Sequence, residues 1–170
     1  GRWKKGPGDD FFRILKRKFP RLGIIAEDLG VITPDVRSLM KKFGFPGMKV
    51  LLFAFGPDSD TSEYLPHRHI KECVVYTGTH DNNTVRGWFE KEASKQDKER
   101  LFGYLGKRAS SCEVSREFVK MAMGSAAMLS VIPMQDVLGL GSKAVMNRPA
   151  KAKGNWRWRL PATRINTGLA

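Results

Sequence analysis

The sequence predicts an α/β fold with parallel strands, and three observations carry that expectation. Short runs rich in Ile, Val and Leu stand at residues 22–26, 48–54, 73–77 and 129–133, each too short for a helix and suited to a strand buried on both faces. The first three recur about every 25 residues, with helical or loop sequence between them, which is the rhythm of βαβ units. Polar and acidic residues gather where the runs end: Glu27 and Asp28 after the first, His80 and Asp81 after the third, Gln135 and Asp136 after the fourth. Four such strands could build half of a (β/α)8 barrel or a small doubly wound sheet. The polar strand ends lean toward the barrel, where catalytic groups come from strand carboxyl ends.

In chain order, Asp9 or Asp10 can cap a first helix in which Phe12, Leu15 and Phe19 recur at steps of three and four, while Arg13, Lys16 and Arg17 point outward. Pro20 ends it. Beyond the first apolar run, Thr33 caps a second helix with Pro34 at its first position, a buried stripe of Val36, Leu39, Met40 and Phe43, and Gly44 as its stop. Residues 56–66, with Gly56-Pro57-Asp58 at their head, read as a loop. Past the third run, a helix over 84–96 carries Val85, Trp88 and Phe89 on one side, and residues 94–115 are polar and mixed. Ser115 can cap a last helix through Val119, Ala122, Met123 and Ala126, leading to the fourth run. Trp156-Arg157-Trp158-Arg159-Leu160 alternates with period two, so an extended segment there would send its indoles one way and its guanidiniums the other.

Composition narrows the function classes. The 170 residues, 41% hydrophobic, suffice for one ordinary domain with a sizeable core and exclude disorder. No apolar run reaches the roughly 18 residues of a membrane span, and residues 1–8 lack the apolar stretch of a signal peptide, so a soluble chain without a membrane partner is expected. Any targeting segment of a longer parent would lie before Gly1. Cys73 and Cys112 are too few for a disulfide framework and show no metal-ligand spacing, which suits a reducing compartment and buried or half-buried thiols. His67 and His69 flank Arg68 in a loop and offer too few ligands for a metal, so no metal is expected. Basic residues, 30 against 17 acidic, leave a net +13 and crowd both ends of the chain, with no acid after Asp136. Such runs are usually solvated faces. The rival reading is a binding module for RNA or another polyanion, with the Trp156 and Trp158 faces stacking on nucleobases or sugars.

Two places can carry acid–base chemistry. A carboxylate directly after a buried apolar strand sits where partial desolvation lets it keep a proton near neutral pH, as a general acid must. Glu27 meets that description, although Glu27 or Asp28 would also serve simply to accept backbone hydrogen bonds at the turn. Asp81 sits in the polar cluster Thr79-His80-Asp81-Asn82-Asn83-Thr84 between a strand and a helix. A helix cap with turn-forming neighbours explains Asn83 and Thr84. It leaves unexplained two ionisable groups at a strand end, which are costly to bury unless they bind something.

Five segments, in this order, resemble the amylomaltase, or 4-α-glucanotransferase, family: Ala26-Glu27-Asp28-Leu29-Gly30-Val31-Ile32-Thr33-Pro34, Phe45-Pro46-Gly47-Met48-Lys49-Val50-Leu51, Tyr76-Thr77-Gly78-Thr79-His80-Asp81-Asn82, Pro133-Met134-Gln135-Asp136 with Leu138-Gly139-Leu140-Gly141, and Gly154-Asn155-Trp156. The resemblance implies an α-amylase-like (β/α)8 TIM barrel of which residues 1–170 are the carboxy-terminal half, an incomplete domain. It implies transfer of a segment of an α-1,4-glucan to an acceptor, without a cofactor, by a retaining double displacement. Under it Glu27 matches the general acid/base, Asp81 the carboxylate that stabilises the transition state, and His80 a hydrogen-bond donor to the sugar. Phe53 matches an aromatic near the sugar subsites and Asn147 a late polar contact. The family's nucleophile, an Asp at the end of an earlier strand, has no counterpart here. Leu52 and Asn83 stand where Gln and Asp are common. The implied partners are a malto-oligosaccharide and the missing amino-terminal half of the barrel, in the cytoplasm or a plastid, and the chain alone is expected to be inactive. A nucleic acid is disfavoured, since it accounts for none of the ordered motifs, and a non-catalytic glucan-binding fragment is the remaining alternative.

Overall fold

A computed structural model describes residue 2 and residues 4–162. Three strands, β1 (Gly47–Val50), β2 (Cys73–Tyr76) and β3 (Leu129–Val131), form a parallel sheet in the order β1-β2-β3, with Gly47 opposite Cys73 and Val74 opposite Leu129. The helices are α1 (Gly8–Lys18), α2 (Pro34–Phe43), α3 (Val85–Lys91), α4 (Lys95–Leu105), α5 (Val114–Met123) and the single turn α6 (Met134–Val137). The α/β class and the parallel arrangement read from the sequence are those observed. In central β2, Cys73, Val74 and Val75 are all buried, as continuous apolar sequence requires of a strand covered on both faces. Edge strand β3 leaves Leu129 and Val131 exposed, against the expectation of a fourth buried strand, because no strand pairs on its outer side among the described residues.

The core lies where the sheet meets the helices that cross from β2 to β3. Val50 and Val75 of the sheet pack with Val85 and Phe89 of α3, Leu101 of α4, and Val114, Phe118 and Ala122 of α5. Leu51 and Phe55 extend this cluster past the end of β1, and the Phe55 and Phe118 rings meet edge to face at 5.8 Å. A smaller aromatic cluster joins α1 to α2: the Phe12 ring stands 4.9 Å from Phe45 in a T-shaped contact, and Asp9 pairs with both Arg13 and Lys42. Lys16 lies over the Phe43 and Phe45 rings, so part of the basic amino-terminal run is used in packing.

Several expected elements differ. Pro7, rather than an aspartate, occupies the N-cap of α1, and Asp9 and Asp10 lie in its first turn, where they complement the helix dipole. The second apolar run is strand only to Val50, after which Leu51–Phe53 tighten into a 3-10 turn. The helix expected over 84–96 is two helices, because Ser94 starts α4 with a capping box closed by Asp97. Helix α5 opens at Val114 with Glu113 at its N-cap, so Ser115 is inside the helix, not its cap. Cys112 is exposed, whereas Cys73 is buried.

The most informative difference concerns residues 22–26, which form no strand. The segment does run beside β1, where the Ala26 N–H donates to the Pro46 carbonyl at 2.9 Å. The next rung of a parallel ladder would join the Met48 N–H to the Ala26 carbonyl. Instead Met48 donates to the Asp28 carboxylate at 2.7 Å. The side chain takes the place of the backbone, and pairing stops there. Gly47 permits this approach, since a Cβ at that position would overlap the Asp28 carboxylate.

Candidate active site

The carboxyl end of β2 runs into a loop, residues 77–84, that is fixed at both ends by one buried side chain. Asp136, on α6 and only 2% exposed, accepts from the Thr77 hydroxyl at 2.6 Å and from the Val85 N–H at 2.8 Å. Thr77 closes the strand and Val85 opens α3, so Asp136 clamps the two feet of the loop. Burial pushes its carboxyl above the ordinary aspartate value, and the two hydrogen bonds oppose that shift. Within the loop, Asn82 Oδ1 accepts from the Thr79 N–H at 2.8 Å and the Thr79 hydroxyl at 2.9 Å, and Thr84 caps α3 through Gly87 at 3.0 Å. Asn83 is held by Glu92 at 2.6 Å and Ser142 at 3.2 Å. With turn and cap duties met by Asn82, Asn83 and Thr84, neither His80 nor Asp81 is consumed by local structure.

Both are exposed, and they meet the carboxy-terminal segment. Asn147 donates its side-chain amide to Asp81 Oδ1 at 2.5 Å and its backbone N–H to the His80 carbonyl at 3.1 Å. His80 Nε2 lies 3.4 Å from Asp81 Oδ2, and the His80 ring lies 5.2 Å from the Trp156 indole. Asp81 borders two clefts. One, about 320 Å3, is lined by Phe53, Leu52, Trp88 and Glu92; the other, about 210 Å3, is lined by Asn147, Arg148 and Glu92. The structure thus brings Asp81, His80, Asn147 and Phe53 into one neighbourhood. A charged carboxylate, an imidazole and an amide beside aromatic walls can bind and orient a polyhydroxylated ligand and stabilise positive charge developing on it.

Glu27 stands apart. It borders neither cleft, forms no hydrogen bond with a described residue, and is exposed, so the burial expected of it after a strand is not met within this chain. The backbone-anchoring role falls to its neighbour Asp28, which leaves the Glu27 carboxylate uncommitted. The extended Trp/Arg segment is also corrected: Trp156 has φ of +61°, which breaks the alternation, and the Arg159 guanidinium turns back to the Trp156 and Trp158 carbonyls at 2.9 and 2.8 Å. Sequence reasoning singled out Asp136 as a polar strand end without its role as clamp, and it missed Glu92 and Ser142. Their partners are distant in sequence, so no local pattern announces them. Among the described residues no group of three or more His, Cys, Asp or Glu side chains is placed to hold a metal ion.

Comparison with known proteins bears on this arrangement. The 4-alpha-glucanotransferase of Solanum tuberosum, described as chloroplastic/amyloplastic, is 48% identical over 163 residues, 96% of this chain and 28% of the relative. That of Thermus thermophilus is 45% identical over 166 residues, covering 94% of this chain and 33% of the relative. A solved amylomaltase from Streptococcus agalactiae, in complex with acarbose, superimposes with a TM-score of 0.90 at 31% identity, over 99% of this chain and 34% of that one. The chain therefore spans about a third or less of the length of these relatives. A family model for 4-alpha-glucanotransferase, Glyco_hydro_77, matches residues 1–164, a span that takes in Glu27, the clamped loop and Asn147 alike. With that match running through every motif of the site, the chain belongs to the 4-alpha-glucanotransferase family.

Proposed function

We propose that this chain is the acid-bearing, carboxy-terminal part of a 4-α-glucanotransferase that moves a segment of an α-1,4-glucan to an acceptor glucan or glucose. The observation that carries the reading is the cluster of Asp81, His80 and Asn147 at the carboxyl end of β2, in a chain of this family. In the reaction a carboxylate nucleophile attacks the anomeric carbon while Glu27 protonates the departing glycosidic oxygen, giving a covalent glycosyl-enzyme and a shortened glucan. The acceptor's hydroxyl then attacks the same carbon, Glu27 takes its proton, and the carboxylate is released. Asp81 stabilises the positive charge that builds on the sugar in both steps, held in place by Asn147 and by the loop that Asp136 clamps. His80 and Asn147 donate to sugar hydroxyls, and Phe53 offers a flat apolar face in the adjoining cleft.

The nucleophile belongs to a preceding region that residues 1–170 do not contain, and the whole chain is the carboxy-terminal half of an α-amylase-like (β/α)8 barrel. Two observations support this. Among the described residues no strand pairs with the outer side of β3, and beyond β1 the ladder ends after the single Ala26–Pro46 backbone bond, leaving Ile25, Leu129 and Val131 apolar and exposed at these margins. The relatives carry about twice as much further sequence. Closure of the barrel covers these side chains and surrounds Glu27, supplying the desolvation that an acid requires. No helix among the described residues is long and apolar enough to cross a membrane, and the working compartment is the cytoplasm or a plastid. The test is a transfer assay with maltotriose on the purified chain and on the chain joined in frame to the amino-terminal two thirds of the Thermus thermophilus relative. The chain alone gives little or no turnover and the fusion disproportionates maltotriose; substantial turnover by the chain alone contradicts the reading.

A further inference from the structure

We propose that the Trp156 indole is a stacking platform for a glucose ring of a glucan bound beside Asp81; the proposal rests on the glucan reading above. Trp156 keeps 52% of its surface exposed, a large apolar face left open to water next to a polar cluster. Its backbone is held at φ +61°, a left-handed conformation that a bulky side chain adopts only when its surroundings force it. Those surroundings are on the page. The Trp156 N–H donates to the Met146 carbonyl at 2.7 Å, and the preceding Asn155 side chain accepts from the Arg148 N–H at 3.0 Å and donates to the Lys151 carbonyl at 2.8 Å. Residues 146–156 are thus folded back on themselves, and the fold spends backbone strain to set the indole against His80. The same segment supplies Asn147 to Asp81. One strap carries both a hydroxyl-binding amide and an aromatic face, which is the pairing a sugar needs: polar edge to amide and carboxylate, C–H face to indole.

The local charges favour a neutral ring over a nucleobase with its phosphate. Asp81 would repel an anion, and two guanidiniums of the same segment are engaged within the fold, Arg159 on the Trp156 and Trp158 carbonyls and Arg148 on the Ser142 carbonyl at 3.0 Å.

The experiment is a titration of the chain with maltoheptaose, read by calorimetry and by the indole N–H resonances of its four tryptophans. The Trp156 signal, assigned by its loss in W156F, shifts saturably. Trp156→Gly is the informative variant, because glycine adopts φ +61° without cost. It weakens maltoheptaose binding about tenfold, equivalent to about 1.4 kcal/mol, at an unchanged melting temperature, while W156F, which keeps a flat face, retains most of the affinity. W156G that binds as tightly as the parent chain overturns the platform and leaves the glucan reading standing. W156G that loses binding together with its melting transition marks a structural role and overturns it as well. No binding of maltoheptaose by the parent chain, while the fusion disproportionates maltotriose, overturns the platform and leaves the glucan reading standing. A Trp156 shift produced by polyuridylate, abolished by salt and absent with maltoheptaose, overturns the choice of a sugar.

Discussion

Replacing Asp136 separates the account of the clamped loop from a generic buried carboxylate. Asp136→Ala removes the acceptor of the Val85 N–H at 2.8 Å and of the Thr77 hydroxyl at 2.6 Å, both at residues without solvent exposure. A buried donor left without a partner costs about 1–3 kcal/mol. The Thr77 hydroxyl can rotate toward another acceptor, whereas the Val85 N–H cannot turn, and removing a desolvated carboxyl returns part of the loss. The expected destabilisation of D136A is about 2–4 kcal/mol. Asp136→Asn keeps an acceptor for Val85 and presents an amide to Thr77, which reverses its hydrogen bond, so its cost stays below about 1.5 kcal/mol. Urea unfolding with linear extrapolation measures both. The pH dependence supplies an independent sign. Burial raises the Asp136 carboxyl above its ordinary value of 3.8. Its contribution is therefore fully present below that value and is lost as pH rises through the raised folded value. The stability of the parent chain relative to D136N falls over that interval. A D136A variant within about 0.5 kcal/mol of the parent, or a D136N variant as unstable as D136A, refutes the clamp.

Two further outcomes follow from buried contacts elsewhere. His69 is buried and its Nε2–H donates to the Tyr64 carbonyl at 3.0 Å, which leaves a buried Nδ1 without a partner; burial holds the imidazole below its ordinary 6.5, against the pull of that hydrogen bond. Its contribution is present above pH 6.5 and lost as pH falls through the lower folded value, so His69→Gln flattens the acid-side slope of stability measured by urea unfolding at several pH values; an unchanged slope contradicts this. Gly87→Ala, ordinarily a gain of about 0.5–1 kcal/mol inside a helix, becomes a loss of about 1–3 kcal/mol in a thermal melt, because the new Cβ overlaps Asn83 Oδ1 and stands 2.6 Å from Ser142 Oγ.

What the sequence made legible followed the range of the forces involved. Helix α2 could be placed from Pro34 and Gly44, since first turn and left-handed stop lie within the segment and Gly44 does adopt φ +64°, although Thr33 stands at the N-cap without a side-chain cap bond and, of the expected stripe, Phe43 is buried while Val36 is exposed. Helix α4 carried an equally local sign in Ser94 and Asp97, but its weak apolar periodicity, with only Leu101 buried, concealed it. Residues 22–26 have strand composition and even the right neighbour. What decides against a strand is the Asp28 carboxylate reaching Met48 across 20 residues, and composition cannot express that. The site divides in the same way. His80 and Asp81 stood out because turn chemistry around them was already complete, whereas the union of Asp81 with Asn147 spans 66 residues and was accessible only through family resemblance. The φ of Trp156 is imposed by a folded-back strap, so the alternating Trp/Arg pattern pointed to an extended segment that tertiary bonds override.

The central claim is that Glu27 and Asp81 are the acid/base and the stabilising carboxylate of a glucanotransferase, and it is tested most directly by Glu27→Gln and Asp81→Asn in the fusion that restores the preceding region. Both substitutions keep the size and shape of the side chain, so folding, followed by circular dichroism, stays intact. Turnover of maltotriose is predicted to fall roughly 10²–10⁴-fold for E27Q, the contribution of a positioned general acid, and at least as steeply for D81N. Activity within a few-fold of the parent fusion for E27Q contradicts the account, since the proton of the departing sugar oxygen would then come from a residue other than Glu27.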